Sequence, residues 1–491
     1  MKKRRLPRIK FCAVTDVPVL LHSLTSIVAD EAALAFVREM NASQQVLTMV
    51  ELIAGGEPVL LRKAWQPATE LWSWERLGKL LRGKLLQDVL LTDDNYYMPA
   101  DAKAKLSSLV QSRFSTATHA LRNLSADAVV AGLQSLTALE RQLEADSCGS
   151  ATRRRDFWRH LDVSKPFSGR RLIWFGDLPD PLRSEVQPKA AALYASDYDA
   201  GKALQYAWIS SPGARTHTHF DNDHNSFVQL IGTKRFLLWP PNQTVNLCPF
   251  PRLHPLWHKS RMDFERPRME KRGPCATYGR SEALGVTVRP GDTLYIPPFW
   301  WHTVETLSPS LSLSTLSRWP QLYNHLNGLY RHDYIFDALR PHGSRVYALR
   351  AFLAELLRKA GRPNFISEAL LTQYAGLEHH FPAPRNSSRR QPSACQFDER
   401  GTPICRWCLS RVRFEVELAW DEHLMALPAD VRTTALSEFV EEVTAEAVGA
   451  SESLRFWQDC FGPEAPRFFL TTPNSEEHRI LWITRDQEDG F

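Results

Sequence analysis

The sequence predicts an α+β fold, with a strand-rich core over residues 166–320 flanked by helices. Three observations carry this. Apolar and aromatic runs broken by Gly and Pro turns fill residues 204–319, leucine alternates with serine from Ser310 to Ser314, and a helical stripe starts only after Trp319. Period two in the centre and period 3.6 beyond it call for two kinds of element in sequence. The 491 residues, enough for one large core or two ordinary ones, divide into 1–165, helices and a strand leading to the core; 166–320, the core; 321–380, a helical region; and 381–491, a linker with a carboxy-terminal extension.

Taken in order, Ala32–Ala54 shows an apolar helical pattern and Glu57–Arg62 a short strand ahead of Trp65. Residues near 100–165 read as polar and helical, and Arg170–Pro179 as the entry to the core. Phe227–Ile231, Gly232-Thr233, Phe236–Trp239 and Pro240-Pro241 read as strand, tight turn, strand and stop. Arg289-Pro290-Gly291-Asp292 is a second turn, followed by Thr293–Pro298 and the aromatic run Phe299-Trp300-Trp301 before His302. Turn, strand, histidine and the Ser310–Ser314 strand look like the closing half of a double-stranded β-helix. Leu349, Phe352, Leu353, Leu356 and Leu357 then follow helical spacing, with Gly361 and Pro363 as the stop. A second helix is expected over Asn364–Tyr374, a polar linker or mobile insertion over 382–403, and a further helix over Asp430–Val448.

Chemistry concentrates in Thr216-His217-Thr218-His219-Phe220-Asp221. On an extended strand, His219 and Asp221 would share a face, and His302 from a neighbouring strand would supply a third point. Two imidazoles and one carboxylate leave positions open on a metal, as a non-haem Fe(II) oxygenase requires, whereas structural zinc closes its shell with four protein ligands. A surface turn and a core histidine are the bland alternatives, and His217 competes with His219 as ligand. Lys234 lies on one strand face with Phe236 and Leu238, so it either snorkels outward or meets a buried anion, for which the distal carboxylate of 2-oxoglutarate is the candidate.

From about Leu204 to Trp319 the chain resembles the jumonji-C hydroxylases of the cupin superfamily, whose core is a jelly-roll double-stranded β-helix. Ile209-Ser210-Ser211-Pro212-Gly213 is similar to the tRNA wybutosine hydroxylase. Pro249-Phe250-Pro251, His254-Pro255 and Met262-Asp263-Phe264 are similar to the asparaginyl hydroxylase that inhibits hypoxia-inducible factor. The resemblance implies His219, Asp221 and His302 as iron ligands, Lys234 and the Thr216 hydroxyl on the C5 carboxylate of 2-oxoglutarate, Asn225 near its C1 carboxylate, and Trp319 on the pocket wall with Tyr206 and Trp208. His217 and His224 are placed at the rim. Ser317 stands where the family commonly has asparagine, which weakens co-substrate binding or brings in water. His258-Lys259 replaces an Arg-Gln pair, which argues for a target other than asparagine.

The implied reaction is hydroxylation of a protein side chain, with O₂ consumed and succinate and CO₂ released. Arg252, Lys259, Arg261, Arg266, Arg268, Lys271 and Arg272 keep an RNA substrate open, and a silent scaffold is a third reading. The helix pair after Trp319 occupies the family's dimer interface, so a homodimer is expected. Cys395, Cys405 and Cys408 with His380 could close a tetrahedral zinc site, or simply pack reduced beside Trp407. The basic start Met1–Arg8 lacks the apolar stretch of a secretory signal, which favours cytoplasm or nucleus over an organellar address and lets all eight cysteines stay reduced. A net charge of +5, 43% hydrophobic residues and no long apolar run give no reason to expect a membrane span.

Overall fold

A computed structural model describes residues 35–36, 38–41, 56–64, 72–92, 96–97, 119–145, 171–177, 204–262, 275, 280–338, 342–378, 406–463 and 465. Its strands, numbered along the chain, form two sheets. A six-stranded sheet runs β1 (Ala35–Phe36), β12 (Leu284–Val288), β11 (Lys234–Trp239), β14 (Trp301–Thr306), β9 (Arg215–Thr216) and β5 (Tyr96–Tyr97). A nine-stranded sheet runs β2 (Arg38–Asn41), β3 (Val59–Arg62), β13 (Thr293–Ile296), β10 (His224–Ile231), β15 (Ser310–Ser317), β8 (Leu204–Ser210), β7 (Arg171–Asp177), β4 (Leu85–Thr92) and β6 (His119–Ser125). Most pairings are antiparallel, which with the flanking helices makes the fold α+β.

Alternation along β11 and β14 explains the layering. Phe236, Leu238 and Val304 point between the sheets and meet Leu60, Phe227, Leu294 and Ile296. Leu237, Trp239 and Trp301 point the other way, into a cluster with the carboxy-terminal helices. On the far side, Val228, Leu230, Leu311 and Leu313 of the nine-stranded sheet pack on α1 (Trp74–Leu80) and α2 (Ala126–Ala145). A strand buried on both faces carries apolar residues at odd and even positions alike, which is how β11 reads.

The expected strand, turn and strand at 227–239 are present, but the turn carries the chain from one sheet to the other. Gly232 sits at φ +76° so close to the backbone of Pro309 that a Cβ would lie 2.1 Å from its carbonyl oxygen. This crossing sets Asn225 and Phe227 on one sheet opposite Lys234 on the other.

After β15 come α3 (Pro320–Tyr330), α4 (Ile335–Ala338), α5 (His342–Lys359) and α6 (Leu371–Tyr374), then α7 (Arg406–Glu417), α8 (Ala429–Val448) and α9 (Ala450–Phe461). The stripe Leu349, Phe352, Leu353, Leu356 and Leu357 is fully buried, and it packs within the chain against residues of α7 and α8. Gly361, at φ +68°, ends α5: its N–H donates to the Arg358 carbonyl and that of Arg362 to Leu357, the paired bonds of a Schellman motif.

Three expectations need correction. Within the helical pattern of Ala32–Ala54, residues 35–36 and 38–41 are strands, because each finds a parallel partner, β12 and β3, that local periodicity does not reveal. The polar region near 100–165 contains β6 ahead of α2, paired to β4. The cysteines are not all reduced: Cys248 and Cys275 are disulfide-bonded, their Cα atoms 5.1 Å apart, well inside the span such a bond needs. The 382–403 linker, His380, Cys395 and Cys405 lie outside the described residues, as does the side chain of Cys408. No helix among the described residues is long and apolar enough to cross a membrane.

Candidate metal centre

His219, Asp221 and His302 converge: each offers one ligand atom, and these atoms lie within 4.8 Å of one another. They are the one such group of three among the described residues. His302 comes from β14. His219 and Asp221 do not lie on a strand as their spacing suggested, since β9 ends at Thr216. Instead His219 forms isolated antiparallel bridges to Lys259 and His302, its N–H donating to the His302 carbonyl at 3.0 Å and the His302 N–H returning to the His219 carbonyl at 2.7 Å. The Phe299 N–H donates to the Asp221 carbonyl at 2.8 Å, and that of Phe220 to the His258 carbonyl at 3.1 Å. Phe299 is held at φ +63°, a conformation that costs energy for a bulky residue and here turns the chain into the ligand strand.

Both rings are aimed alike. His219 Nδ1 lies 2.6 Å from the carbonyl of His217, and His302 Nδ1 3.0 Å from that of Trp300. A carbonyl only accepts, so each Nδ1 carries the proton and each Nε2 presents its lone pair. Burial, helped by the neighbouring His302 ring, pushes His219 down to about 3, so the neutral ring a metal needs is the resting form. Burial works to raise the Asp221 carboxyl, but His219 and His302 outweigh it and hold it below the usual carboxylate value. His302 Nε2 stands 3.8 Å from Asp221 Oδ2.

Lys234 belongs to the same face. Across the β11–β14 ladder, Lys234 stands opposite Thr306, Phe236 opposite Val304 and Leu238 opposite His302, so Lys234 and His302 project together between the sheets. Four residues of strand separate their positions, roughly 13 Å at the usual rise, and the lysine stem covers nearly half of that. Lys234 is 4% exposed, its Nζ lies 5.4 Å from the Phe227 ring and 6.0 Å from that of Trp208, and it has no ion pair among the described residues. Burial alone lowers its pKa to about 7. Asn225, which shares a strand face with Phe227, is buried, and its Oδ1 has no partner among the described residues.

The remaining residues fall into place around this space. Thr216 Oγ1 accepts from the Val304 N–H at 3.0 Å, which leaves its own proton to donate. Trp208 donates to Ser314 at 3.1 Å, and Phe175 packs against both Trp208 and Tyr206. Ser317 stands opposite His224 in the β10–β15 register, and Trp319 lies 6.0 Å from the His224 ring. His258 packs on Phe220 at 4.1 Å, and Lys259 bridges to His219. His217 is turned away from the ligands: its Nε2 lies 2.6 Å from the Ser260 carbonyl. His224 is buried on the Tyr295 hydroxyl at 2.9 Å, and burial lowers its pKa to about 4. The orienting carbonyls of His217 and Trp300 went unforeseen because backbone acceptors leave no trace in residue identity.

Residues 46–319 match the family described as a cupin-like domain. The chain is 30% identical over 116 residues to the lysine-specific demethylase JMJ31 of Arabidopsis thaliana, covering 24% of this chain and 21% of that one. It is 35% identical over 140 residues to Jumonji C domain-containing protein 5 of Drosophila melanogaster, 28% of this chain and 34% of the relative. Over 106 residues it is 35% identical to human HSPB1-associated protein 1, 21% of each chain. The chain thus spans about a third or less of the length of these relatives.

Proposed function

The chain belongs to the family of cupin-like domains, and from that premise we propose that it is an Fe(II)- and 2-oxoglutarate-dependent oxygenase that hydroxylates a protein side chain. One observation carries the reading: three ligand atoms within 4.8 Å share a compartment with a buried lysine that has no anion among the described residues. A mixed imidazole and carboxylate set suits Fe(II), and three ligands leave room for a bidentate co-substrate and O₂. The double-stranded β-helix is what the family implies for the two sheets.

An iron ion held by His219, Asp221 and His302 would supply the O₂ chemistry in which 2-oxoglutarate goes to succinate and CO₂ while a C–H bond becomes C–OH. The chain's own residues bind and orient. Lys234 and Thr216 hold the far carboxylate of the co-substrate, and the amide of Asn225 faces its near end. Trp208 and Phe227 keep that end dry, which strengthens the lysine's attraction for the carboxylate. The His217 and Trp300 carbonyls fix the two ring protons, so neither ligand has to change tautomer when the metal arrives. Lys259 beside His219 and the His258 ring on Phe220 flank the centre and are the candidates for gripping the target. A protein target is supported by relatives whose names include a lysine-specific demethylase.

The test is succinate formation from 2-oxoglutarate by the purified chain with Fe(II), with peptides or with tRNA added. Turnover should fall at least tenfold in His219→Ala and Lys234→Ala and rise with peptide. Stimulation by tRNA alone would transfer the proposal to RNA, and no Fe(II)-dependent turnover under any condition would leave a scaffold.

A further inference from the structure

Outside the His219, Asp221 and His302 centre, two histidines meet where α3 packs on the π-helical stretch Leu418–Leu424 that continues α7. His325 Nδ1 and His423 Nδ1 stand 3.5 Å apart, and neither has another hydrogen-bond partner among the described residues. That spacing decides between two readings. An N–H donor settles about 2.7–3.2 Å from its acceptor, so the pair is stretched for a hydrogen bond. Two nitrogens each about 2.0–2.1 Å from a tetrahedral ion stand roughly 3.4 Å apart, which is nearly the distance found. The rings are tilted by 60° with centres 5.7 Å apart, so they meet at their edges rather than by stacking.

Two local features of the backbone hold this contact. Gly328 lies inside α3, where glycine weakens a helix, and a Cβ on it would overlap the His423 ring. The glycine therefore makes room for that ring one helical turn from His325. From the other side, residues 418–424 wind as a π-helix, a rare form found mostly as single turns and frequently at functional sites. Both irregularities fix the same imidazole. A third ring adds donor capacity nearby: His332, two residues past α3, is within electrostatic reach of His423, and its Nε2 is buried without a partner among the described residues. His325 and His423 themselves are half-buried, so water reaches them.

We propose that His325 and His423 chelate a divalent transition-metal ion through their Nδ1 atoms, with water completing its shell. Imidazole suits zinc, copper and nickel, whereas magnesium and calcium call for oxygen ligands that this pair does not offer. Such an ion would tie α3 to a stretch that lies 98 residues further along the chain, and so clamp the helix that follows β15 to the carboxy-terminal helices. The inference uses no residue of the His219, Asp221 and His302 centre and does not depend on the oxygenase reading.

Equilibrium dialysis of the full, chelator-treated chain against zinc tests the site. His325→Ala and His423→Ala should each lose one bound equivalent relative to the natural chain, and His302→Ala should retain that equivalent. Gly328→Ala favours the helix yet pushes the His423 ring aside, so it should weaken this zinc at least tenfold, and it serves if a histidine variant does not fold. In a His302→Ala background, where the other centre lacks a ligand, zinc should raise the midpoint of thermal unfolding, and adding His423→Ala should abolish the rise. Zinc uptake unaltered by His325→Ala or by His423→Ala, indifference to Gly328→Ala, or no rise in the His302→Ala background overturns the proposal.

Discussion

Lys234→Met should make the protein more stable at neutral and acidic pH, and the gain should vanish as pH rises. The lysine is buried between the sheets, and desolvation lowers its pKa from 10.5 to about 7. The sign follows from proton counting. Between about pH 7 and 10.5 the unfolded chain holds a proton that the folded chain lacks, so stability rises with pH across that window, and below it the penalty of burying the charge is fully present. At about 1.4 kcal/mol per pH unit, the drop sets a ceiling of about 5 kcal/mol. Methionine keeps the apolar stem against Trp208 and Phe227 while removing the charge, so the change isolates the electrostatic cost. Urea unfolding near pH 6 and near pH 10 reads the effect, the variant being stabler at the first and nearly level at the second. Adding 2-oxoglutarate with Fe(II) should stabilise the natural chain and leave the variant little changed. A variant less stable than the parent near pH 6, or a difference flat with pH, would refute the reasoning that Lys234 is held uncompensated for an incoming anion.

His302→Ala should lower Fe(II) affinity at least about 100-fold in an anaerobic titration while the far-ultraviolet circular dichroism stays unchanged, because the backbone bonds to His219 do not need the ring. Glu441 is a carboxyl raised from 4.5 to about 8, so its folded form keeps a proton that the unfolded chain sheds, and stability should fall by about 1.4 kcal/mol per unit as pH rises between those values. Glu441→Gln should abolish that slope in urea unfolding series. Glu305 is buried between Arg215 at 2.7 Å and Arg235 at 2.9 Å, at the strand that positions Thr216; Glu305→Ala leaves two arginines facing each other and should cost about 3–5 kcal/mol in the same assay.

How much of this was legible in the sequence depended on whether the signal was local. The strands β10, β11, β13, β14 and β15 were visible because turn residues and period two bracket each of them, and α5 because five apolar positions share one helical face. His219, Asp221 and His302 are legible as a set, yet their spacing alone does not explain how the first pair converges. Spacing of two places side chains on one face only within a strand, and here isolated bridges to His302 and Lys259, with the Phe299 and Phe220 N–H bonds, do the work of a ladder. β1 and β2 escape a local reading because their partners lie about 250 and 20 residues away in the chain, and a helical count over Ala32–Ala54 cannot register a contact that distant. The same limit applies to the Glu438, Glu441 and Glu442 face. In sequence it resembles any solvated acidic stripe on a helix, and only the fold shows it buried against Trp257, Arg252 and Tyr374.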